Sequence, residues 1–573
     1  MSLKDKNEID KEGNDNIESK VSKEDGNGKE NIKDQFISNS TIKPTVKEWE
    51  EKRMSESITS RKENYSQWYL DLAAMLADSS PVRGCMVIRP YGYAVWENIQ
   101  KTLDRMFKET GVENAYFPLF IPKRLLEEEE THAAGFAKEV AVVTHHRLVA
   151  NEKGELIPDV LLEEPLIVRP TSETIMYVTY AKWIQSYRDL PLLINQWNNV
   201  VRWELRTRPF LRTMEFLWQE GHTAHATEKE ADERTIQMLR VYQKFAEEYL
   251  AMPVIPGRKS ESEKFPGAVY TTSIEAMMQD GKALQAGTSH MLGQNFAGKP
   301  KEGESEDKKR EIQIRFLNDK GETDYVNQTS WGLSTRIIGA IIMTHGDDHG
   351  LVMPPRVAPI QVVIIPIWGA LTEERDKIIG RAKEIADQLR KSGCSVKVDE
   401  REGRPGYKYF EWERKGVPIR IELGPKDLAK NSAIVVRRDT FQKESISLDN
   451  ITGHVQKTLD AIHQNLFDRA LAFQKENTHI INSWEEFVEY IPEVVKSEVI
   501  KPDSEENSEE KNEKGKGGFL LVHWCEDAKC EAEIKERTKA TTRCIPFDQP
   551  EEEGKCIICG KKSKRRWIFA KAY

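Results

Sequence analysis

The sequence predicts a multidomain protein of mixed α/β and α+β class, and three observations support this prediction. The chain has 573 residues, of which 38% are hydrophobic, and this length accommodates about three or four domains with cores of their own. Segments of strand and helix character alternate beyond Pro359, and five of the seven cysteines lie after residue 520. We therefore expect domain boundaries that divide the chain into residues 1–45, 46–357, 358–460 and 461–573.

The composition excludes several classes of protein. No apolar run reaches the length of a membrane-spanning helix, and the first residues lack the apolar core of a signal peptide. The net charge of -9 argues against a generally basic nucleic-acid binder, although an RNA-binding enzyme can keep its positive charge local. We expect a soluble, cytoplasmic protein.

Two polar segments predict little structure of their own. Residues 1–45 are nearly all charged, Asn, Ser or Gly, and they have too little apolar surface to offset the entropy of ordering. We expect a disordered tail there, with a partner-binding appendage as the alternative. Residues 504–518 are similarly polar and predict a solvated loop inside the last domain.

Hydrophobic periodicity predicts two amphipathic helices, at 92–109 and 231–250. Apolar residues recur at helical spacing through Val95, Ile99, Leu103, Met106 and Phe107 in the first, and through Ile236, Leu239, Tyr242, Phe245 and Tyr249 in the second. Each helix should bury this face against the rest of its domain.

Residues 358–460 alternate between strand and helix patterns, which predicts a mostly parallel sheet with right-handed crossovers. Strands are expected at 361–367, 395–399, 418–423 and 433–438, with helices at 373–391 and 405–415. A possible RNA-contacting face comprises Lys408, Arg414, Arg420 and Lys426. The alternative is that these charges are only solvated.

A β-hairpin is expected over residues 202–222. Arg202 and Glu204 are two residues apart and would share one face of a strand, while Arg212 and Phe216 would return on the partner strand. The same parity continues through Trp218, Glu220 and His222. Such a face offers a cation fork for a phosphate, an acceptor for an adenine amino group and a ring for base stacking. A surface hairpin with solvated ion pairs is the alternative.

The cysteines predict a metal site near the C-terminus. Cys525 and Cys530 form one knuckle and Cys556 and Cys559 another, a spacing suited to one tetrahedral zinc ion with four thiolates. Such a site has no open coordination position, so its role should be structural. Disulfides are the alternative, and they are disfavoured in a cytosolic chain. Cys544 lies between the knuckles and should be a buried apolar residue.

The hairpin, with Arg202, Glu204, Arg212 and Phe216, resembles motif 2 of the class II aminoacyl-tRNA synthetases. The sequence around it resembles the prolyl-tRNA synthetases. Other segments follow in the order of that family, and the resemblance runs from about residue 47 to the C-terminus. These segments are 92–120 with Pro118 (motif 1), 169–174 (the TxE loop), 287–296 (the segment that closes the pocket) and 331–359 with Arg336 (motif 3).

The resemblance implies an antiparallel-sheet catalytic domain, an α/β anticodon-binding domain and a small C-terminal zinc-binding domain of the archaeal and eukaryotic type. It further implies a homodimer that joins L-proline to tRNA(Pro) with ATP and Mg²⁺, and it places Tyr573 near the active site. Bacterial-type relatives carry an editing insertion between motifs 2 and 3, and the roughly hundred residues here leave no room for one. We expect no post-transfer editing in cis.

The resemblance also assigns the site residues. The catalytic residues would be Arg202, Arg212 and Arg336. ATP would be bound by Arg202, Glu204, Arg212, Thr213, Phe216, Gln285, Thr288 and Arg336. Proline would be bound by Thr171, Glu173, Arg202, Trp218, Glu220, His222, His290 and Ser330.

Alternatives remain open for some of these residues and for the function. Thr171 and Glu173 could be a helix N-cap pair, because Ser or Thr with a nearby Glu often starts a helix. His290 alone could be a structural histidine. The chain could also be a sister class II enzyme for threonine, histidine or glycine, or a non-catalytic synthetase-like RNA-binding or regulatory protein. Relatives of the last kind typically lose an arginine of motif 2 or 3, whereas all three are present here.

Overall fold

The computed structural model of the chain describes residues 58–128, 139–300, 311–369, 371–494 and 515–573. The tail expected at 1–45 and all but the last four residues of the loop expected at 504–518 lie outside them. Within the described ranges, no helix has the length and apolar character needed to cross a membrane.

The part from residue 58 to 360 begins with a short helix, which two short strands and a long helix follow. Its helices are α1 (Tyr65–Ala73), α2 (Pro90–Lys108), α3 (Lys123–Glu128), α4 (Glu173–Trp183), α5 (Glu228–Leu250) and α6 (Arg336–His345), with a 3-10 turn at Tyr187–Asp189. Its strands are β1 (Ala77–Ser79), β2 (Met86–Ile88), β3 (Glu113–Asn114), β4 (Phe120–Pro122), β5 (Ala141–His145), β6 (Leu148–Ala150), β7 (Leu156–Pro158), β8 (Leu161–Val168), β9 (Leu192–Val201), β10 (Glu215–His225), β11 (Val254–Arg258), β12 (Tyr270–Met277), β13 (Ala283–Gly293), β14 (Arg315–Leu317), β15 (Thr323–Tyr325) and β16 (Asn327–Ser334).

The middle part, residues 361–450, alternates strands and helices. Its strands are β17 (Val362–Pro366), β18 (Val396–Val398), β19 (Ile419–Leu423), β20 (Ser432–Arg437) and β21 (Lys443–Ser447), and its helices are α7 (Thr372–Lys391), α8 (Pro405–Arg414) and α9 (Pro425–Ala429), with a 3-10 turn at Leu448–Asn450.

The last part, residues 451–573, starts with the longest helix of the described residues and continues as a small mixed region. Its helices are α10 (Ile451–Glu476), α11 (Trp484–Tyr490) and α12 (Ala528–Thr538), and its strands are β22 (Thr478–Ile481), β23 (Phe519–His523), β24 (Thr541–Pro546), β25 (Gly554–Lys555), β26 (Lys562–Ser563) and β27 (Arg566–Ala570).

An eleven-stranded sheet joins the first part to the last, in the order β22-β23-β27-β24-β11-β12-β13-β16-β10-β9-β3. From β11 to β9 all neighbours are antiparallel, as expected for the catalytic part. Strand β24 extends this sheet by pairing with β11 through Gly257↔Pro546 and Arg258↔Ile545. The C-terminal region is therefore continuous with the sheet that carries β10, β13 and β16.

The two predicted amphipathic helices are confirmed as α2 and α5, and both pack on one side of the large sheet. The Tyr242 hydroxyl of α5 lies within hydrogen-bond distance, 2.6 Å, of the Gln219 side-chain amide of β10, so this side chain points toward the helix. Gly221 lies on the same side of β10, where a Cβ atom would approach the Trp331 ring to 2.0 Å. The helices thus cover one face of the strands and leave the other face for a cavity.

The hairpin prediction needs one correction. Strands β9 and β10 do pair antiparallel, but β9 ends at Val201 and β10 begins at Glu215, so Arg202, Glu204 and Arg212 lie in the connecting loop. The Arg202 N–H still donates to the Met214 carbonyl at 2.8 Å, whereas the Trp203 N–H donates to Glu139 instead. Because the loop backbone bonds elsewhere, the strand ladder stops and the parity rule does not extend to these residues.

The middle sheet, in the order β18-β17-β19-β20-β21, is mixed rather than mostly parallel. Strand β17 is parallel to β18 and β19, but β19, β20 and β21 are successively antiparallel. The five-residue helix α9 between β19 and β20 is too short for the crossover that a parallel pair requires.

The expected RNA-contacting face is also wrong in part, because two of its cations are buried. Lys408 is 2% exposed and its Nζ donates to the Asp399 carbonyl at 3.2 Å. Arg420 is buried and pairs with Glu422 at 2.9 Å. Lys426 is exposed and Arg414 is half-buried. The strand and helix positions themselves follow the prediction.

Candidate active site

A cavity of about 300 Å³ opens on the face of the large sheet opposite α2 and α5. Most of the residues predicted for the site line it. They are Thr171, Glu173, Arg202, Phe216, Trp218, Glu220, His222, Gln285, Thr288, His290, Ser330 and Arg336.

Three antiparallel strands place these side chains together. His222 of β10 is directly opposite Ser330 of β16, which is in turn opposite His290 of β13. Because side chains alternate along a strand, residues two apart on β10 from Phe216 to His222 face the same way, as the sequence predicts. The strand register therefore sets the floor of the cavity.

Three predicted residues do not line this cavity. Arg212 Nε lies 3.6 Å from Glu204 Oε2 in the β9–β10 loop, and about half of the Arg212 side chain is exposed. The Thr213 hydroxyl donates to the Glu215 carbonyl at 2.8 Å, and Thr213 lines a separate cavity of about 510 Å³ beside Cys85. The structure thus places these loop residues outside the cavity lining.

Two arginines give the cavity an anion-binding character. Arg202 Nε donates to the Pro170 carbonyl at 3.0 Å, and its guanidinium carbon is 5.6 Å from the Phe216 ring and 5.3 Å from the Trp218 ring. Arg336 Nε donates to the Leu211 carbonyl at 3.1 Å. Burial, with the neighbouring cations, lowers the pKa of Arg336 to about 10, and burial also lowers the pKa of Arg202. Bringing an anion into this space relieves the repulsion between them.

Buried acids also line the cavity, and the charges of Glu173 and Glu220 act on Arg202. Glu220 accepts hydrogen bonds from the Ser172 N–H at 3.1 Å and the Asn198 amide at 2.6 Å, and His222 Nε2 lies 3.2 Å from its Oε2. Burial acts to raise the pKa of Glu220, but these hydrogen bonds outweigh it and lower the pKa. Burial acts to lower the pKa of His222, whereas the charges of Glu173 and Glu220 raise it. These acids suit a bound ammonium group.

Thr171 and Glu173 do not act as a helix N-cap pair. The N-cap of α4 is Ser172, and no side chain makes the cap hydrogen bond. The Thr171 hydroxyl instead donates to the Glu173 carboxylate, and both residues line the cavity. One carboxylate oxygen of Glu173, one of Glu220 and one ring nitrogen of His222 all lie within 4.8 Å of one another.

His290 is neutral and held in place. Its Nδ1 lies 2.9 Å from the Thr271 hydroxyl, and its ring is 4.8 Å from the Phe265 ring. Burial, with the charges of His222 and Lys259, lowers the pKa of His290 to about 3. His290 has a structural partner in Thr271, as expected for a structural histidine, and it also lines the cavity.

Two buried polar groups that line the cavity have no hydrogen-bond partner among the described residues. They are the Ser330 hydroxyl and the Trp218 indole N–H. Leaving such groups unpaired costs free energy, so a ligand that reached either atom would be bound more tightly.

Sequence reasoning missed one wall of the cavity. Residues 263–266 line it, although the sequence analysis assigned them no role. The turn-forming pair Pro266 and Gly267 is the signal that could have located a loop there, and Gly267 has φ 88°.

The four predicted cysteines come together at the C-terminal end. Cys525 Sγ lies 3.7 Å from Cys530 Sγ and 3.5 Å from Cys559 Sγ, and all four Sγ atoms, with Cys556, lie within 4.8 Å of one another. Four thiolates at about 2.3 Å from a tetrahedral zinc ion would be about 3.8 Å apart. All are free cysteines, so the disulfide alternative is wrong, and Cys544 is buried as predicted. The donor set fits zinc.

The C-terminal residue also packs near the cavity. The Tyr573 hydroxyl donates to Asp280 at 2.6 Å, and its ring lies 5.5 Å from the guanidinium carbon of Arg208 in the β9–β10 loop. The Tyr573 N–H donates to Ala283, two residues before Gln285 of the cavity.

Comparisons with known proteins agree with this geometry. Models of the class II tRNA synthetase core domain (G, H, P, S and T), the anticodon-binding domain and the prolyl-tRNA synthetase C-terminal domain match residues 160–345, 361–458 and 508–573. A proline–tRNA ligase of Flavobacterium johnsoniae is 53% identical over 91% of this chain and all of its own. Those of Amoebophilus asiaticus and Porphyromonas gingivalis are each 52% identical, over 91% and 90% of this chain and 100% and 99% of their own. The chain therefore belongs to the proline–tRNA ligase family of class II aminoacyl-tRNA synthetases.

Proposed function

We propose that the cavity carries out proline activation, the first step of the proline–tRNA ligase reaction. The carboxylate of L-proline attacks the α-phosphorus of ATP, prolyl-adenylate forms and pyrophosphate leaves. This step needs positioning and neutralisation of charge more than proton transfer. A cavity lined by both cations and buried acids meets both needs.

The arginines bind ATP. Arg202 bridges the proline carboxylate and the α-phosphate, because its planar fork can contact two oxygen atoms at once. Phe216 and Arg336 hold the adenine between them. Arg212 is half-exposed in the β9–β10 loop and can turn inward to the γ-phosphate once ATP replaces its contact with Glu204.

The remaining nucleotide contacts form once ATP has replaced the contact between Arg212 and Glu204. Glu204, freed from Arg212, accepts from the adenine amino group. Gln285 and Thr288 line the nucleotide side of the cavity, and Thr213 braces the loop from behind. Mg²⁺ enters with ATP on the phosphate oxygens, as is usual for nucleotide substrates.

The acidic part of the lining binds proline. Its secondary ammonium has two N–H groups, which donate hydrogen bonds to Thr171 and Glu173. Glu220 stabilises the charge of His222 and supports the floor of the cavity. The ring lies against Trp218 and neutral His290. The unpaired Ser330 hydroxyl is available to the amino acid.

The second step and the assembly complete the proposal. The terminal ribose hydroxyl of tRNA(Pro) attacks the adenylate, residues 358–460 bind the anticodon, and residues 461–573 form the zinc-binding domain behind a catalytic domain of residues 46–357. Cys525, Cys530, Cys556 and Cys559 hold a structural Zn²⁺. The protein acts as a cytoplasmic homodimer.

A single juxtaposition carries the assignment. Arg202 and Arg336 line the same 300 Å³ cavity as Glu173, Glu220 and His222. A solvated surface hairpin would not bury these groups around a shared space. A non-catalytic relative would have no need of all three arginines.

Pyrophosphate exchange with a panel of amino acids tests the proposal. Exchange that depends on proline supports it. Exchange with threonine, histidine or glycine instead would identify a sister enzyme. No exchange from a folded protein that still binds tRNA would identify a non-catalytic relative.

A further inference from the structure

One wall of the cavity is the connection between β11 and β12. Phe265 of this wall stacks beside His290 at a ring distance of 4.8 Å. The Phe265 N–H donates to the Thr271 hydroxyl at 2.8 Å, and this hydroxyl also bonds His290 Nδ1 at 2.9 Å. The position of the wall therefore affects the position of His290.

Glu531 of helix α12 anchors this wall from the C-terminal region. The Ser260 hydroxyl donates to Glu531 Oε1 at 3.0 Å, and the Ser262 hydroxyl donates to Oε2. The Thr542 hydroxyl donates to the same carboxylate. Ser260 is 2% and Glu531 5% exposed, so water does not compete for the bond between them, whereas Ser262 is exposed.

A second buried contact fixes the start of the wall. Lys259 Nζ lies 3.1 Å from Glu275 Oε1, and Arg543 Nη2 of β24 lies 2.9 Å from the other oxygen. Glu275 is paired across the sheet with Gln285, which lines the cavity. An outer contact between Lys535 and Glu263, at 3.4 Å, is largely exposed and contributes little.

We propose that Glu531 is a positioning residue for the proline site. Burying a carboxylate costs free energy unless hydrogen bonds compensate it, and two of the bonds that compensate Glu531 come from the wall. Through Ser260 and Ser262 it holds the wall at the distance that keeps Phe265 against His290. The inference rests on the proposed function, in which His290 contacts the proline ring.

The test compares Glu531→Ala with Glu533→Ala in the full-length protein. Glu533 lies on the same helix, is exposed and pairs only with Arg537, at 2.9 Å, among the contacts described for it. Glu531→Ala should raise the KM for proline about tenfold, because a small displacement of a positioning wall weakens binding strongly. The KM for ATP and kcat should change less than about twofold. Glu533→Ala should match the wild type.

Amide hydrogen exchange gives a readout that does not need activity. Peptides covering residues 259–268 should exchange faster in Glu531→Ala and at the wild-type rate in Glu533→Ala. Ser262→Ala should show a smaller effect of the same kind, and combining it with Glu531→Ala should add little, since Glu531→Ala already removes the bond of Ser262 to Glu531.

An unchanged KM for proline in a folded Glu531→Ala protein overturns the proposal, whatever amide exchange shows. If that variant does not fold, Ser262→Ala decides, and a wild-type KM for proline together with a wild-type exchange rate at 259–268 overturns it. A wild-type enzyme that does not activate proline refutes the proposed function instead, and the exchange rates still report on the anchor.

Discussion

His222 Nε2 lies 3.2 Å from Glu220 Oε2, and both side chains are at most 2% exposed beneath the cavity. The pair is directly opposite Ser330 and Gly332 of β16. Its charge state therefore bears on the proline site and on the stability of the sheet that carries it.

The pair should make stability depend on pH. The pKa of Glu220 is lowered, so its contribution is present above its usual value of 4.5 and is lost as the pH falls through the lowered pKa. The pKa of His222 is raised, so its contribution is present below 6.5 and is lost as the pH rises through the raised pKa. The difference in Tm between wild type and His222→Gln should be largest between pH 4.5 and pH 6.5 and should shrink toward pH 9.

Thermal unfolding from pH 5 to 9 measures this difference, with exposed His146→Gln as the control. Burial and the His222 charge lower the pKa of His290 to about 3, so His290 in the wild type does not titrate within this pH range. A Tm difference that stays constant across the range contradicts the charged pair.

Arg202→Ala should abolish proline-dependent pyrophosphate exchange, with a loss of roughly a thousandfold, because Arg202 neutralises charge in the transition state. Arg202→Lys should restore little, since an ammonium cannot bridge two oxygens as the guanidinium does. Arg206→Ala, an exposed change in the same loop, is the control and should keep its activity. Exchange retained by a folded Arg202→Ala protein would remove the role given to this residue.

Cys559→Ser should lose bound zinc, whereas Cys544→Ala should keep one equivalent. Zinc binding contributes to folding, because the thiolates gather only in the folded state. Atomic absorption gives the metal content, and thermal unfolding should show a lower Tm for Cys559→Ser. Equal zinc in both variants would argue against the four-cysteine site.

The purified protein should not deacylate Ala-tRNA(Pro). A proline pocket rejects alanine by only roughly 1–3 kcal/mol per methylene, so alanine will be activated to some extent. Residues 226–326, between β10 and β16, form α5, β11 to β13 and the short pair β14 and β15 among the described residues, and leave no room for a large editing domain. Rapid hydrolysis of Ala-tRNA(Pro) by this chain would show that an editing site exists.

Alternation along β10 was predictable because the strand is regular from Glu215 to His225. The conformation of the β9–β10 loop was not predictable. The position of Arg212 depends on backbone hydrogen bonds that no local sequence pattern encodes. The burial of Lys408 and Arg420 was also hidden, since Lys408 meets the Asp399 carbonyl and Arg420 pairs with Glu422 only once the sheet forms.

The anchoring of the cavity wall by Glu531 was the feature least predictable from the sequence. Ser260 and Glu531 are separated by 271 residues, and neither belongs to a motif. Sequence spacing identifies residues that chemistry requires together, such as the four cysteines. It does not identify residues that meet only because β24 extends the catalytic sheet.

A crystal structure with a non-hydrolysable prolyl-adenylate analogue would show whether proline is activated in this cavity. We expect the adenine between Phe216 and Arg336, the phosphate analogue on Arg202, and the proline nitrogen at Thr171 and Glu173. An analogue bound elsewhere, or bound here with its proline ring away from Trp218 and His290, would contradict it.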